Sequence, residues 1–305
     1  MYGTRRQFPY FQCLACETLQ ISEIPESLSD YYPKQYYSFA PTAEKGLVRK
    51  LVNWASGMRE ASYVLDSPVV RRVFTKLLPP VEHTLLTLAS LKFAGARRES
   101  RLLDVGCGGA TLLHRLSCAG FHRLAGADPF IEKEIRYKTG LRVLKQPIDE
   151  VPGEFDLITF HHSLEHLVDP VLALKAARDR LVKGGKILVR VPTISSEAWD
   201  IYGIDWVQLD APRHLYLFSR LGLRQMAATA GLDVLGGYDD STAVQFLGSE
   251  QYRRDIPLVS ETSFLSRPKR SMFSPAQVLE YSTKAKSLNA QERGDQLVLI
   301  LGLKS

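Results

Sequence analysis

No stretch of this chain approaches the ~18 to 20 consecutive apolar residues that a membrane span requires. The opening residues MYGTRRQFPYFQCLAC hold no continuous apolar region of the kind a secretory signal carries. The expectation is a cytoplasmic protein with no membrane partner. Cysteine is scarce: Cys13, Cys16, Cys107 and Cys118 are the four in 305 residues, too few for a disulfide scaffold and suited to a reducing compartment. A large excess of one charge sign is missing as well. The 39 Lys and Arg against 33 Asp and Glu leave +6, which favours anionic ligands but is modest for a protein that wraps nucleic acid. Only residues 253–270, RRDIPLVSETSFLSRPKR, concentrate basic residues, and they read as a solvated loop. No internal repeat of fixed period is present.

What is present is an ordinary globular composition, 45% hydrophobic and 24% charged, in a length that suits two domains or one domain with insertions at roughly 150 residues per domain. From about Ser100, short apolar runs alternate with helical patterns: RLLDVG, ATLLHRLSCAG, RLAGAD, RVLKQ, FDLITF, DPVLALKAARDRLVKGG and KILVRVP. Strands separated by helices imply crossover connections, hence a doubly wound α/β fold around a mainly parallel sheet. Asp169 followed by Pro170 reads as a helix N-cap with proline in the first turn, and Lys183, Gly184 and Gly185 read as that helix's stop. The helix LGLRQMAATAG should end at Gly231, before strands in LDVLGGY and DQLVLILGL that complete the sheet edge. The expected organisation is a cysteine- and tyrosine-rich leader at 1–40, a helical segment at 41–98 and a core at 99–305. Lid insertions are expected in that core at about 195–218 and 241–294, because connections that long are seldom simple loops.

The chemistry concentrates in LLDVGCGGATLL, residues 102–113, where a strand ends in Asp104 and turns through Gly106, Gly108 and Gly109 into a helix. Glycines there let a ligand approach the backbone. Three details turn the reading away from a dinucleotide. Thr111 stands where the third glycine or alanine of GxGxxG belongs. Asp104 would repel a pyrophosphate but suits an ammonium group. Asp128, 22 residues beyond Gly106 at the end of the next strand, is placed to accept hydrogen bonds from both hydroxyls of a ribose. The ligand so described has a ribose and an amine and needs no phosphate.

At these residues the chain resembles the class I S-adenosylmethionine-dependent methyltransferases, with Ala110 in place of a commonly found glycine. FDLITFHHSLEHLVDP (155–170) and DAPRHLYLFS (210–219) are similar to the segments after the fourth and fifth strands of the subgroup that includes ubiquinone-type O-methyltransferases and enzymes acting on sugars and natural products. The resemblance implies a seven-stranded Rossmann-like sheet and a methyltransferase that takes S-adenosylmethionine and releases S-adenosylhomocysteine. It implies that Asp104, Gly106, Cys107 and Gly108 hold the methionine end, that Asp128 with Pro129 and Phe130 holds the ribose, that Gln146 to Ile148 flank the adenine, and that His161 approaches the sulfonium. The implied acceptor is a small molecule, with an oxygen of a sugar, polysaccharide precursor or secondary metabolite as the expected site of methylation. A homo-oligomer is left open. The leader, residues 8–39, looks like the latter half of a zinc-ribbon leader. Because Cys13 and Cys16 supply only half of a tetrahedral set, bound zinc and a metal site are not expected unless another chain completes it.

Methylating a hydroxyl calls for a base near neutral pH, which imidazole can be. His162, His166 and His214 are the candidates, with His214 on the presumed lid. Proximity alone suffices for an acceptor already acidic or carbanionic. Three rivals remain. A nucleic-acid methyltransferase usually shows a proline-aromatic motif of the N-P-P-Y kind where this chain has FHHS. An NAD-dependent oxidoreductase is disfavoured by Thr111 and Asp104. A non-catalytic nucleoside-binding module would keep the fold alone.

Overall fold

The computed structural model describes residues 6–31, 42, 46–79 and 82–304. Tyr32, Tyr36 and Tyr37 of the tyrosine-rich leader lie outside the described residues. The chain opens with a hairpin, β1 (Tyr10–Gln12) and β2 (Leu19–Ile21), followed by helices α1 (Leu47–Val64), α2 (Pro68–Leu77) and α3 (Glu82–Ala94). Then come β3 (Leu102–Val105), α4 (Thr111–Cys118), β4 (Leu124–Ala127), β5 (Ile135–Arg136), β6 (Arg142–Leu144) and β7 (Phe155–His161). The second half holds α5 (Pro170–Arg178), β8 (Leu181–Pro192), α6 (Glu197–Tyr202), β9 (Tyr216–Leu217), α7 (Arg220–Thr229), β10 (Leu232–Asp239), α8 (Val244–Tyr252), α9 (Pro275–Ala290) and β11 (Gln296–Leu303).

The central sheet has the order β10-β11-β8-β7-β3-β4-β6-β5. Its inner strands β8, β7, β3, β4 and β6 are parallel, and β11 enters antiparallel between β8 and β10. The fold is therefore the expected doubly wound α/β sheet, with a two-residue eighth strand, β5, at one edge. The other edge is β10 alone, since β11 is paired on both sides. The apolar runs are near-continuous because both faces are covered. Leu103, Ile158, Ile187 and Leu299 face a layer with Ala173, Leu174 and Leu223 of α5 and α7. Their neighbours Leu102, Leu157, Leu188 and Ile300 face Leu88, Leu91, Leu113 and Leu116 of α3 and α4. Every other residue changes side, as the strand period demands.

Asp169 caps α5 as expected, its side chain accepting from the Leu172 N–H at 2.8 Å. The helix nevertheless stops at Arg178, earlier than Lys183 to Gly185 suggested, and those residues belong to β8. The reason is pairing: Phe155 lies opposite Leu181 and gives its N–H to the Arg180 carbonyl at 2.8 Å, so the chain must already be extended there. Gly231, in the left-handed region at φ 74°, follows α7 where the sequence placed its end.

Outside this sheet, residues 194–217 pack with α8 and α9 around Trp206, Phe246 and Leu288. Leu19 of the leader joins that cluster, and β2 pairs antiparallel with β9, Leu19 opposite Leu217. The leader is thereby stitched to the segment after β8. Among the described residues no helix is long and apolar enough to cross a membrane.

Candidate active site

The order of strand connection reverses beside β3: the chain runs from β3 to β4 and β6 on one side, then returns to β7 on the other. Ligands of open α/β sheets settle at the carboxyl ends of strands at such a switch point. A cavity of about 260 Å³ lies there. Its walls include Val105 and Gly106 after β3, Asp128 to Phe130 after β4, Pro147 to Asp149 after β6, His162 and Ser163 after β7, His166 to Asp169, and Leu172 of α5.

The glycine turn is conformationally obligatory. Gly106 sits at φ 75°, and a Cβ there would lie 2.4 Å from the Ser163 Cβ, so neither backbone nor space admits a side chain. Ala110 also takes the left-handed region, at φ 49°, and serves as the N-cap of α4 without a side-chain hydrogen bond. This is the position where the resembling family commonly has glycine.

Asp128 staples two turns together. Its Oδ2 accepts the Gly108 N–H and its Oδ1 the Phe130 N–H, both at 2.8 Å. A carboxylate has about four lone-pair sites, so the group keeps capacity for a further donor. Burial pushes its pKa up against the lowering effect of the N–H groups of Phe130, Gly108 and Ile131. Asp104 lies one strand away. Burial pushes its pKa up to about 7, although Thr159 lowers it by donating a 2.7 Å hydrogen bond, while the Asp128 charge raises it further. Burial and the same two carboxylates hold the Cys107 thiol far above its usual range, so it stays protonated and is no nucleophile.

Of the residues singled out by sequence, Gly106, Asp128, Pro129, Ile148, His162 and His166 form walls of the cavity. Asp104, Cys107, Gly108 and Gln146 are not among the walls; the first three lie in or beneath the glycine turn. His161 is not among the walls either. It ends β7 opposite Arg190, with both ring nitrogens buried and without hydrogen bonds among the described residues, while the left-handed residue His162 (φ 50°) and Ser163 form part of the wall. Burial and the charge of Arg190 hold the His161 pKa well below its usual range.

The three candidate bases differ in what they have to offer. Arg190 donates to His162 Nε2 at 2.5 Å, which occupies the lone pair a base would use, and burial followed by that guanidinium pushes the His162 pKa far down. His166 Nδ1 meets the Arg213 carbonyl at 2.8 Å. Burial and His214 lower the His166 pKa despite the opposing Glu165 carboxylate, so the ring is neutral at neutral pH. His214 is 6% exposed, with Nδ1 on the Gln208 carbonyl at 2.6 Å. Its ring centroid lies 4.7 Å from that of His166.

The segments around residues 165 and 214 are joined by the Leu215 N–H on the Glu165 carbonyl at 2.9 Å and by the Tyr216 hydroxyl on the Val168 carbonyl at 3.1 Å. Tyr10 of the leader donates to the His214 carbonyl at 2.7 Å.

Two further residues matter that the sequence analysis did not single out, Glu165 within the segment 155–170 and Arg190 in the strand KILVRVP. Glu165 is fully buried, and neither carboxylate oxygen has a hydrogen-bond partner among the described residues. Arg190 is fully buried within β8 and donates to Asp240 at 2.5 Å and Gln296 at 2.6 Å as well as to His162. The available signal for each is a charge in an apolar run, HSLEHLV and KILVRVP. Cys13 and Cys16 sit in the turn of the β1–β2 hairpin, where the Cys16 and Ala15 N–H groups and the Cys16 side chain lower the Cys13 pKa.

A family model described as a methyltransferase domain matches residues 78–236. A ubiquinone biosynthesis O-methyltransferase of Methylococcus capsulatus is 32% identical over 173 residues, 49% of this chain and 72% of that protein. The corresponding enzyme of Bordetella bronchiseptica is 29% identical over 163 residues, 47% of this chain and 66% of that protein. The matched region thus spans about two thirds of these relatives' length. Among solved structures, a putative methyltransferase from Bacillus halodurans C-125 is similar with a TM-score of 0.43 and 13% identity, covering 70% of this chain and 96% of that one.

Proposed function

The chain belongs to the methyltransferase-domain family and is an S-adenosylmethionine-dependent methyltransferase; from that premise we propose that it methylates an oxygen of a small molecule, such as a sugar, a polysaccharide precursor or a secondary metabolite. The observation that carries the choice of cavity is its charge. The walls hold three carboxylates, Asp128, Asp149 and Asp169, and no Lys or Arg among the described residues. Such a cavity repels a diphosphate and favours a cationic nucleoside.

The residues present fit that donor. Asp128 keeps acceptor capacity for ribose hydroxyls, Gly106 leaves bare backbone where a Cβ would intrude, and Pro129, Phe130 and Ile148 offer apolar surface for a base. Asp104, beneath the turn, is the carboxylate placed to balance an ammonium group. When bound, S-adenosylmethionine supplies a methyl carbon made electrophilic by its sulfonium. The protein's own contribution is to fix positions and exclude water, which suffices for a large part of such a displacement. The acceptor's proton leaves on the side of Glu165, His166 and His214. There a neutral imidazole on the cavity wall, with a second imidazole and a buried carboxylate behind it, favours the departure.

Calorimetric titration with S-adenosylhomocysteine and, separately, with NAD tests the reading. Micromolar binding of the first and none of the second is expected; the reverse would refute it.

A further inference from the structure

Helices α1 and α2 precede the methyltransferase domain of residues 78–236, and they turn their apolar side chains outward. Between Asn53 and Glu60, α1 buries Asn53, Ser56, Gly57, Arg59 and Glu60, which are polar or, at Gly57, bare. The opposite face is apolar: Leu47 and Val48 are 75% and 76% exposed, Leu51 56% and Trp54 47%. This is the reverse of a helix resting on a core, and α4 imposes it. A Cβ at Gly57 would run into the Arg115 carbonyl oxygen, and the buried Glu60 accepts from the Arg115 side chain at 2.9 Å. Only bare or polar positions of α1 can face inward there.

None of the residues of α2 is buried. Val69, Val73 and Leu77, four apart and so stacked on one face, are all more than half exposed. The rings of Trp54 and Phe74 meet edge to face at 5.6 Å and join the two helices. Charge on this part of the chain has one sign. Arg49, Lys50, Arg72 and Lys76 are exposed, whereas the two acids within residues 46–79 are both engaged: Glu60 is buried, and Asp66 lies 3.0 Å from Lys92 and 3.7 Å from Arg71. An open hollow of about 720 Å³ along α2 brings Arg71, Arg72 and Lys76 together beside Val69 and Val73.

We propose that α1 and α2 dock this protein on the surface of an anionic lipid bilayer. An apolar face that carries a tryptophan and is bordered by Lys and Arg is the composition of a helix lying in a membrane interface. Leucine, valine and tryptophan enter the boundary of the acyl chains, while the long cationic side chains stay level with the phosphates. The hollow along α2 offers an anionic headgroup three cations at once. A second copy of the chain is the poorer occupant, because a two-fold contact through this face would set its cations against the same cations.

Neither helix is long and apolar enough to cross a bilayer, so the contact lies in the plane of its surface. A search of the sequence for long apolar runs, from which no membrane partner was expected, does not register such a contact. None of these side chains forms a wall of the donor cavity, so the docking face stands whether or not that cavity holds S-adenosylmethionine.

The test sediments the full chain with vesicles of phosphatidylcholine mixed with phosphatidylglycerol, and with vesicles of phosphatidylcholine alone. Binding is expected to the mixed vesicles only, and it should fall as salt is raised. Each basic residue near an anionic surface is worth roughly fivefold in partition, so the pair Arg72→Gln and Lys76→Gln should weaken binding by about tenfold or more. The pair Leu51→Gln and Val73→Gln keeps the charge and should weaken it by about as much, through lost apolar burial. Acyl chains labelled with bromine should quench the parent's tryptophan emission more than that of Trp54→Phe. All five replaced side chains are exposed, and near-UV circular dichroism checks that the variants stay folded. No sedimentation with the mixed vesicles, equal sedimentation with both kinds, or affinity unchanged in either glutamine pair overturns the proposal. So does a dimer in analytical ultracentrifugation that both pairs dissociate, because it would assign the face to a second copy.

Discussion

Replacing Gly106 with alanine should damage both stability and donor binding, and the structure gives the size of the effect. At φ 75° an alanine pays about 1 to 2 kcal/mol for the left-handed conformation. Its Cβ would lie 2.4 Å from the Ser163 Cβ, a clash that adds roughly 1 to 3 kcal/mol of overpacking. Ser163 cannot easily retreat, because it is buried and its hydroxyl holds the Val105 carbonyl at 2.7 Å. Reduced freedom of the unfolded chain returns about 0.4 to 1 kcal/mol, so the net loss is on the order of 2 to 4 kcal/mol. Urea unfolding of Gly106→Ala, Ser163→Gly and the double variant measures it. The clash portion should appear as a coupling of about 1 to 3 kcal/mol, with the double variant more stable than the two single losses imply. A coupling within about 0.5 kcal/mol of zero would refute the close approach of the two turns.

Other outcomes follow from the same geometry. With its pKa near 7 in the free protein, Asp104 must shed a proton to face an ammonium group. S-adenosylhomocysteine affinity should therefore be flat above about pH 8 and fall towards tenfold per unit below about pH 7; calorimetry in two buffers that shows no proton release would contradict this. Asp128→Asn should weaken that ligand by roughly ten- to a hundredfold, the worth of about 1.5 to 3 kcal/mol of charge-assisted hydrogen bonding, and should lower the melting point too, because the new amide nitrogen must face one of the two N–H groups that the carboxylate holds; unchanged affinity would contradict the ribose role. Arg190→Leu strands the buried Asp240 and should cost about 3 to 5 kcal/mol, much of it recovered in Arg190→Leu/Asp240→Leu. No recovery in denaturant unfolding would show that the pair is not the source of the loss.

The parts of the fold that local chemistry determines are legible in the amino-acid sequence. Apolar runs mark β3, β4, β7, β8 and β11 because each strand is buried on both faces, and Asp169 with Pro170 marks the start of α5 because capping is settled within one turn. Two of the turns that wall the cavity are legible for the same reason: Gly106 and Asp128 lie where strands end, a place that sequence order defines. The end of α5 is not, because Leu181 is claimed by pairing with Phe155, a contact between residues far apart in the chain. His161 is not part of the wall, where the left-handed residue His162 stands instead. Glu165 with His214, and β2 with β9, meet only through contacts across long stretches of chain, and no spacing rule reports those. Nor does sequence distinguish an imidazole with a lone pair to offer from His162, whose lone pair Arg190 already holds.

The most direct test is a crystal structure of the protein with S-adenosylhomocysteine. The account predicts the nucleoside in the cavity at the carboxyl ends of β3, β4, β6 and β7, its ribose hydroxyls within hydrogen-bond distance of Asp128. A nucleoside bound anywhere else, or an Asp128 carboxylate that makes no contact with the ribose, would contradict it.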